Sequence, residues 1–226
     1  MLKLISSMAT RQVLAELAAL WQQAYGIKVS IESVGGVDAT KRLEAGEAFD
    51  GVVLASDAID KLIAGGQVLA GSRHDLVRSS VAVAVKAGAP WPDISTESAL
   101  RRAIEAAPTI GYSTGPSGVA LVKLFERWGM LDALQPRIVQ APAGLPVGTL
   151  VAGGEVALGF QQMSELMHLE GIEVVGTLPE EVAITTVFSA ATCTVSNQQA
   201  DVAALFTFMA AQDATTVKQK HGMRAA

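Results

Sequence analysis

The sequence predicts an α/β protein built of two lobes. Apolar β-type runs alternate with helical patterns along the chain, an order that is typical of parallel sheets covered by helices. Two long β-runs, 76–85 and 185–195, bracket the middle of the chain. Such strands would let the chain leave one lobe, build the other and return. We therefore predict that residues 1–79 and 190–226 form lobe 1 and that residues 80–189 form lobe 2.

In the first half of the chain, a helix follows each predicted strand. The first helix has an apolar stripe that includes Val13, Leu17 and Trp21, spaced as one helix face requires. Gly26 stands where a glycine usually ends a helix. The predicted strands are 2–5, 28–34 and 51–54, and the predicted helices are 10–25, 37–45 and 58–64.

The second half, from residue 76, continues the same alternation. It is interrupted at 87–92, where Gly88, Pro90 and Pro92 break the pattern. A helical tail is predicted after about residue 213. The predicted strands are 76–85, 109–112, 137–140, 156–160, 173–175 and 185–195. The predicted helices are 98–106, 117–128, 146–152, 164–169 and 201–211.

Composition excludes several classes of protein. Half of the 226 residues are hydrophobic and 17% are charged, which supports a folded core and excludes a disordered chain. No apolar run reaches the roughly 18 residues of a membrane span, so we expect no membrane insertion. The net charge of −5 argues against nucleic-acid binding. One cysteine, three scattered histidines and the lack of GxxxxGK[ST] or GxGxxG predict no metal and no cofactor.

Four strand-to-helix junctions carry small or hydroxyl residues where the helix begins, and we consider them candidate ligand loops. Helix N-termini carry unpaired N–H groups that attract anions, and ligands of open α/β sheets bind at the carboxyl ends of strands. The alternative is that these residues are ordinary helix caps. The junctions are 6–11, 35–38, 113–118 and 143–148.

Signals for catalysis are weak. Ser117 lacks a GxSxG context, and Cys193 lies in a β-run where a buried, inert thiol is expected. Asp57 follows a strand and either faces the ligand or caps the next helix. The cations nearest the predicted site are Arg11, Lys41 and Arg78. Arg78 is of most interest because it interrupts an apolar strand.

Five segments together resemble the molybdate-binding-protein branch of the bacterial solute-binding proteins. They are LISSMA at 4–9, GGV at 35–37, DGVVLAS at 50–56, GYSTGPSG at 111–118 and GGEVALGF at 153–160. The resemblance covers nearly the whole chain. It implies the type II periplasmic binding protein fold, in which mixed, mostly parallel sheets form two lobes joined by two crossover strands. An anion then binds in the cleft between the lobes.

The resemblance also implies a set of ligand contacts. Two departures from the molybdate pattern stand out: Gly35–Val37 replaces a serine-containing turn, and Gln161 and Gln162 stand where a tyrosine is usual. Amides together with an arginine suit planar carboxylates. The predicted ligand-binding residues are Ser7, Met8, Arg11, Gly36, Val37, Arg78, Ser117, Gly118, Pro146, Val147, Gln161 and Gln162.

Three functions are compatible with this resemblance. The first is a solute-binding protein for a small oxyanion or a di- or tricarboxylate. The alternative is an isomerase like aconitate isomerase, which would need a general base; Asp38, Asp57 and Ser7 are positional candidates. A ligand-sensing regulatory domain ranks last, because the chain has no helix-turn-helix extension.

The expected partners follow from the first function. They are the small anion itself and, if the protein is exported, an ABC permease, and the chain is expected to be a monomer or homodimer. The first residues do not form a secretory signal. We therefore expect a periplasmic location if a signal peptide has been removed from this chain, and a cytoplasmic one otherwise.

Overall fold

The computed structural model describes all 226 residues and divides into two compact units. Unit 1 consists of Met1–Ser79 and Thr186–Ala226, and unit 2 consists of Ser80–Thr185. Strands and helices mostly alternate along the chain. The strands are β1 (Leu2–Ser7), β2 (Val29–Val34), β3 (Gly51–Ala55), β4 (His74–Lys86), β5 (Ile110–Tyr112), β6 (Ile138–Gln140), β7 (Leu158–Gln162), β8 (Ile172–Thr177), β9 (Thr185–Thr192) and β10 (Met223–Ala225). The α-helices are α1 (Arg11–Tyr25), α2 (Gly36–Glu44), α3 (Ser56–Ala64), α4 (Glu97–Ala106), α5 (Pro116–Arg127), α6 (Leu131–Leu134), α7 (Val147–Gly153), α8 (Met163–Leu166), α9 (Gln199–Ala210) and α10 (Thr215–Lys220).

The chain passes from unit 1 to unit 2 within β4 and returns after the first residue of β9. The sequence placed the return later, between residues 189 and 190, which is inside β9. The hydroxyl of Ser189 donates a hydrogen bond to Asp75 at 2.6 Å and lies 3.0 Å from the hydroxyl of Ser56. Both partners belong to unit 1, which explains why Ser189 groups with that unit.

The sheet of unit 1 has the strand order β2-β1-β3-β9. β1 pairs in parallel with β2 and β3, whereas β9 is antiparallel to β3 and β10 is antiparallel to β4. Successive side chains of a strand point to opposite faces. Accordingly, Val53 and Ala55 pack with α1 and α9 in one core cluster, while Val52 and Leu54 pack with α2 and α3 in another.

The sheet of unit 2 places β5 between β6 and β7, and all three strands are parallel. β4 is antiparallel to both β7 and β8. Val81, Val83 and Val85 of β4 join a cluster with α4 and α5, and Ala82 and Ala84 pack on the opposite face against α8. Unit 2 therefore has a hydrophobic core of its own.

The predicted α/β class is confirmed, but some elements differ from expectation. Every antiparallel pair named above involves β4 or β9, so the sheets are more mixed than the alternating pattern indicates. β7 extends through Gln162, two residues beyond its predicted end. The helix α6 was not predicted, and the helical tail ends in β10 because residues 223–225 pair with β4. None of the helices is both long and apolar enough to cross a membrane.

Lys218 is a charged residue in the core of unit 1. Its side chain is fully buried on α10, and its Nζ lies 3.5 Å from the carbonyl oxygen of Ala210, at the end of α9. Burial lowers the pKa of this amine. The folded state therefore disfavours the charged form of Lys218.

We expect Lys218→Met to raise the free energy of unfolding at pH 7 by about 1–3 kcal/mol, because the variant buries no amine. The folded-state pKa lies below the unfolded one, so the wild type regains stability as the pH rises towards the unfolded pKa. The gain should therefore shrink as the pH rises towards about 10 and stay constant above it. Urea unfolding across pH measures this difference. The exposed Lys41→Met serves as the control and should change little.

Candidate functional site

In unit 1, the carboxyl ends of β1 and β2 bring hydroxyl groups together. Ser7 ends β1 and is buried, and its Oγ lies 3.5 Å from Oγ1 of Thr10. Ser6 Oγ lies 2.8 Å from the Oγ of Ser33 on β2. Met8, the next predicted contact, begins a 3-10 turn and is half-buried, whereas Arg11 is exposed. These hydroxyls are therefore paired with one another at the edge where the sequence predicted a ligand loop.

The α2 junction of unit 1 is more open. Gly36 begins α2, and Val37 is 56% exposed. A Cβ built on Gly36 would meet only Leu54, at 3.9 Å, so packing does not require a glycine there. Asp38 and Asp57 are exposed in the first turns of α2 and α3. The predicted residues Gly36 and Val37 thus lie at an accessible helix start.

In unit 2, the loop from β5 to α5 is tightly packed. Ser117 is 3% exposed, and its Oγ lies 3.1 Å from the Oγ of Ser113. A Cβ on Gly118 would lie 1.8 Å from the carbonyl oxygen of Ser113. Gly118 therefore allows the loop to close over the first turn of α5 and brings the two serine hydroxyls together.

The end of β7 forms the second half of this region of unit 2. Gln161 is 3% exposed, and its Oε1 accepts a hydrogen bond from the backbone N–H of Val147 at 2.7 Å. The side chain of Gln161 also helps to lower the pKa of the Glu165 carboxyl. Its bond to Val147 connects the end of β7 to the start of α7.

This arrangement changes what the predicted contacts offer a ligand. The resemblance implied that Gln161 and the Val147 turn would both contact the ligand, but here they bond to each other. Pro146 immediately precedes α7 and is half-buried. Gln162 is 2% exposed and lies opposite Val81 in the β4–β7 register.

Glu165 is a titratable group that the sequence analysis missed. It lies on α8 and is half-buried. Burial raises the pKa of its carboxyl to about 7, and the hydrogen bond from Gln161 partly opposes that rise. A carboxyl with such a pKa exchanges protons near neutral pH. The only signal in the sequence is its spacing of four residues from Gln161.

The remaining candidates lie elsewhere. Arg78 is exposed on the unit 1 part of β4, opposite Arg224 of β10. Its charge helps to lower the pKa of Asp75, although the main cause is the hydrogen bond from Arg73. Cys193 is buried as expected, and burial raises the pKa of its thiol to about 12. No group of three His, Cys, Asp or Glu side chains is arranged to hold a metal ion.

Two α/β units with hydroxyl and amide groups at the carboxyl ends of their strands define the architecture of a ligand-binding protein. The family model described as "Bacterial extracellular solute-binding protein" matches residues 2–224. The chain belongs to this family, which confirms the resemblance noted in the sequence. It is also 36% identical, over 229 residues, to an aconitate isomerase from Pseudomonas sp.; the match covers 99% of this chain and 87% of that protein.

Solved structures agree on the fold. The periplasmic molybdate-binding protein of Azotobacter vinelandii matches with a TM-score of 0.81 at 22% identity, covering 99% of this chain and 98% of that one. The sulfate-binding protein SubI of Mycobacterium tuberculosis matches with a TM-score of 0.81 at 14% identity, covering 100% of this chain and 86% of that one. At these identities the likeness shows the fold alone, and it confirms the periplasmic binding protein class.

Proposed function

We propose that this protein binds a small di- or tricarboxylate as a solute-binding protein. The observation that carries the proposal is the polar cluster of unit 2, where Ser113, Ser117 and Gln161 lie at the carboxyl ends of the parallel neighbours β5 and β7. Hydroxyl and amide groups are donors that bind carboxylate oxygens. Ligands of open α/β sheets bind at this end of the strands.

The family relationships support an anionic ligand. The structural relatives named above are binding proteins for molybdate and sulfate, and the isomerase relative is named for a tricarboxylate. The side-chain amides of Gln161 and Gln162 favour a carboxylate over a tetrahedral oxyanion. Membership of an extracellular family further supports a periplasmic location and an ABC permease as the transport partner.

A thermal-shift screen tests the proposal. The compounds are citrate, cis- and trans-aconitate, shorter dicarboxylates, molybdate, tungstate, sulfate and phosphate. A ligand at 100 times its Kd stabilises the folded state by about 2.7 kcal/mol, which raises Tm by several degrees. We expect shifts with carboxylates. Shifts only with the oxyanions would identify an oxyanion-binding protein instead.

The second candidate function is isomerisation of a tricarboxylate through a 1,3-proton shift. It is favoured by the 36% identity with an aconitate isomerase across nearly the whole chain. Proton NMR of cis- and trans-aconitate incubated with the protein distinguishes the two functions. Interconversion would establish an isomerase, whereas binding without conversion would establish a carrier.

Ser117 offers a test of the proposed contacts. We expect Ser117→Ala to raise the Kd for the bound carboxylate by about 5- to 100-fold, the effect of leaving a buried acceptor without its donor. Calorimetric titration measures the change. Ser98→Ala, at an exposed position on α4, should bind like the wild type. An unchanged Kd in Ser117→Ala would remove this hydroxyl from the site.

A further inference from the structure

We propose that unit 2 carries a second ligand site, separate from the polar cluster of the proposed function, which binds a small linear amino acid. The site is a cavity of about 300 Å³ between α5 and the segment 180–184, and we call it the α5 cavity. A cavity of this volume suits a small organic molecule. The residues of its wall that carry the argument are Lys123, Leu124, Arg127, Glu180, Glu181 and Val182.

The α5 cavity has opposite charges on two different elements. Lys123 and Arg127 are four residues apart on α5, so they lie on the same side of the helix. Glu180 and Glu181 lie in a 3-10 turn that precedes β9. All four residues are exposed, and none of them forms a salt bridge. The cations and the carboxylates therefore line the same space without neutralising each other at contact distance.

The rest of the wall of the α5 cavity is apolar. Leu124 is 5% exposed and Val182 is 4% exposed, and both belong to the core cluster of unit 2. Methylene groups of a ligand would be removed from water against this surface, which is favourable, whereas a fully hydrated ion would gain nothing from it. The wall therefore favours a ligand that has an apolar middle as well as charged ends.

The segment that forms one side of the α5 cavity is fixed to the sheet at both ends. The N–H of Leu178 donates to the carbonyl oxygen of Val81 at 3.2 Å, and the N–H of Val81 donates to the carbonyl oxygen of Ile184 at 2.8 Å. One residue of β4 thus holds both ends of this segment. A wall that is already in place spares a ligand the cost of ordering it.

These features together select a zwitterion. The cations of α5 attract a carboxylate, and the two glutamates attract an ammonium group. A simple anion or a simple cation would be attracted by one pair of charges and repelled by the other. Lys123 follows Ser117 by six residues, which is about 9 Å along the axis of α5. The α5 cavity is therefore distinct from the polar cluster that contains Ser117.

An NMR titration of the whole chain tests the site. The probe is γ-aminobutyrate, and butyrate and butylamine are its two half-ligands. The backbone amides of residues 180–184 should shift when γ-aminobutyrate is added, and those of residues 113–118 should not. Each half-ligand should bind about 2- to 5-fold more weakly, because it lacks one set of exposed charge interactions. Shifts limited to residues 113–118 would place the probe in the polar cluster and overturn the proposal.

Two double variants assign the charged groups. With Lys123→Gln and Arg127→Gln combined, γ-aminobutyrate should bind no more tightly than butylamine, because its carboxylate has lost its partners. With Glu180→Gln and Glu181→Gln combined, it should bind no more tightly than butyrate. Glu126→Gln, at an exposed position of α5 outside the cavity, should keep the wild-type Kd values. These positions are exposed, so the fold should be retained, which circular dichroism checks.

The outcomes are independent of the proposed function. Absence of any shift at high millimolar γ-aminobutyrate overturns the α5 cavity as a ligand site, whatever the thermal-shift screen finds. Equal Kd values for γ-aminobutyrate and both half-ligands in the wild type would show that the charges do not select a zwitterion, and would also overturn the proposal. This comparison decides even if a double variant does not fold. A carboxylate found by the thermal-shift screen should keep its Kd in both double variants, and a loss would overturn the separation of the two sites.

Discussion

Replacing Gly118 by alanine is expected to lower the free energy of unfolding by about 3 kcal/mol or more, at the upper end of the effects of overpacking. The added Cβ would lie 1.8 Å from the carbonyl oxygen of Ser113 and 3.0 Å from the ring of Tyr112. A carbonyl of the main chain cannot rotate away as a flexible side chain does. The loop would have to open, separating Ser113 from Ser117. Urea unfolding measures the loss.

Gly115→Ala is the matched control in the same loop. Its Cβ would meet only the Oγ of Ser113, at 3.6 Å, an ordinary contact, and its backbone φ of −78° suits any residue. We expect its free energy of unfolding to lie within about 0.5 kcal/mol of the wild-type value. Equal losses in both variants would show that the close approach at Gly118 does not determine the stability of this loop.

Glu165→Gln is expected to be stabilising at alkaline pH and not at acid pH. Burial raises the folded-state pKa of Glu165 to about 7 from a usual value of 4.5. The protonated carboxyl therefore contributes stability that is complete below about pH 4.5 and is lost as the pH rises through 7. Glutamine carries no charge at any pH. The free energy of unfolding of the variant minus that of the wild type should therefore be up to about 3 kcal/mol larger at pH 8 than at pH 4.

Free energies of unfolding from urea titrations at pH 4 to 8 give this difference directly. Glu170→Gln, at an exposed carboxyl, should follow the wild type across the range. A difference between Glu165→Gln and wild type that stays constant with pH would mean that the carboxyl is well solvated in the folded protein.

Much of the fold could be predicted because local patterns determine it. The alternation of Val52 and Leu54 with Val53 and Ala55 corresponds to two different core clusters, and a period of two is visible in any strand. Gly26 ends α1 with a φ of 71°, as a glycine at that position indicates. The predicted helical tail was wrong at its end, because β10 forms by pairing with β4, about 145 residues earlier. A strand of three residues has no recognisable pattern of its own.

Less of the candidate site than of the fold could be predicted from the sequence. Gln161 was marked by resemblance, but its bond to Val147 joins positions 14 residues apart. Glu165 offered only its four-residue spacing from Gln161, because its raised pKa depends on burial that a four-residue helix cannot reveal through amphipathic spacing. Single positions identify candidate residue types, whereas pKa values and hydrogen-bond partners arise from tertiary packing.

The division of the chain has a consequence for its synthesis. Unit 2 is one continuous segment, so all of its strands have been made once residue 185 is added. Unit 1 must wait for β9 and β10, which complete its pairing with β3 and β4. Chains emerge from the ribosome N-terminus first. Residues 1–79 are thus made before unit 2 but completed after it, and the partner edges of β3 and β4 stay open until residues 186–226 have been added.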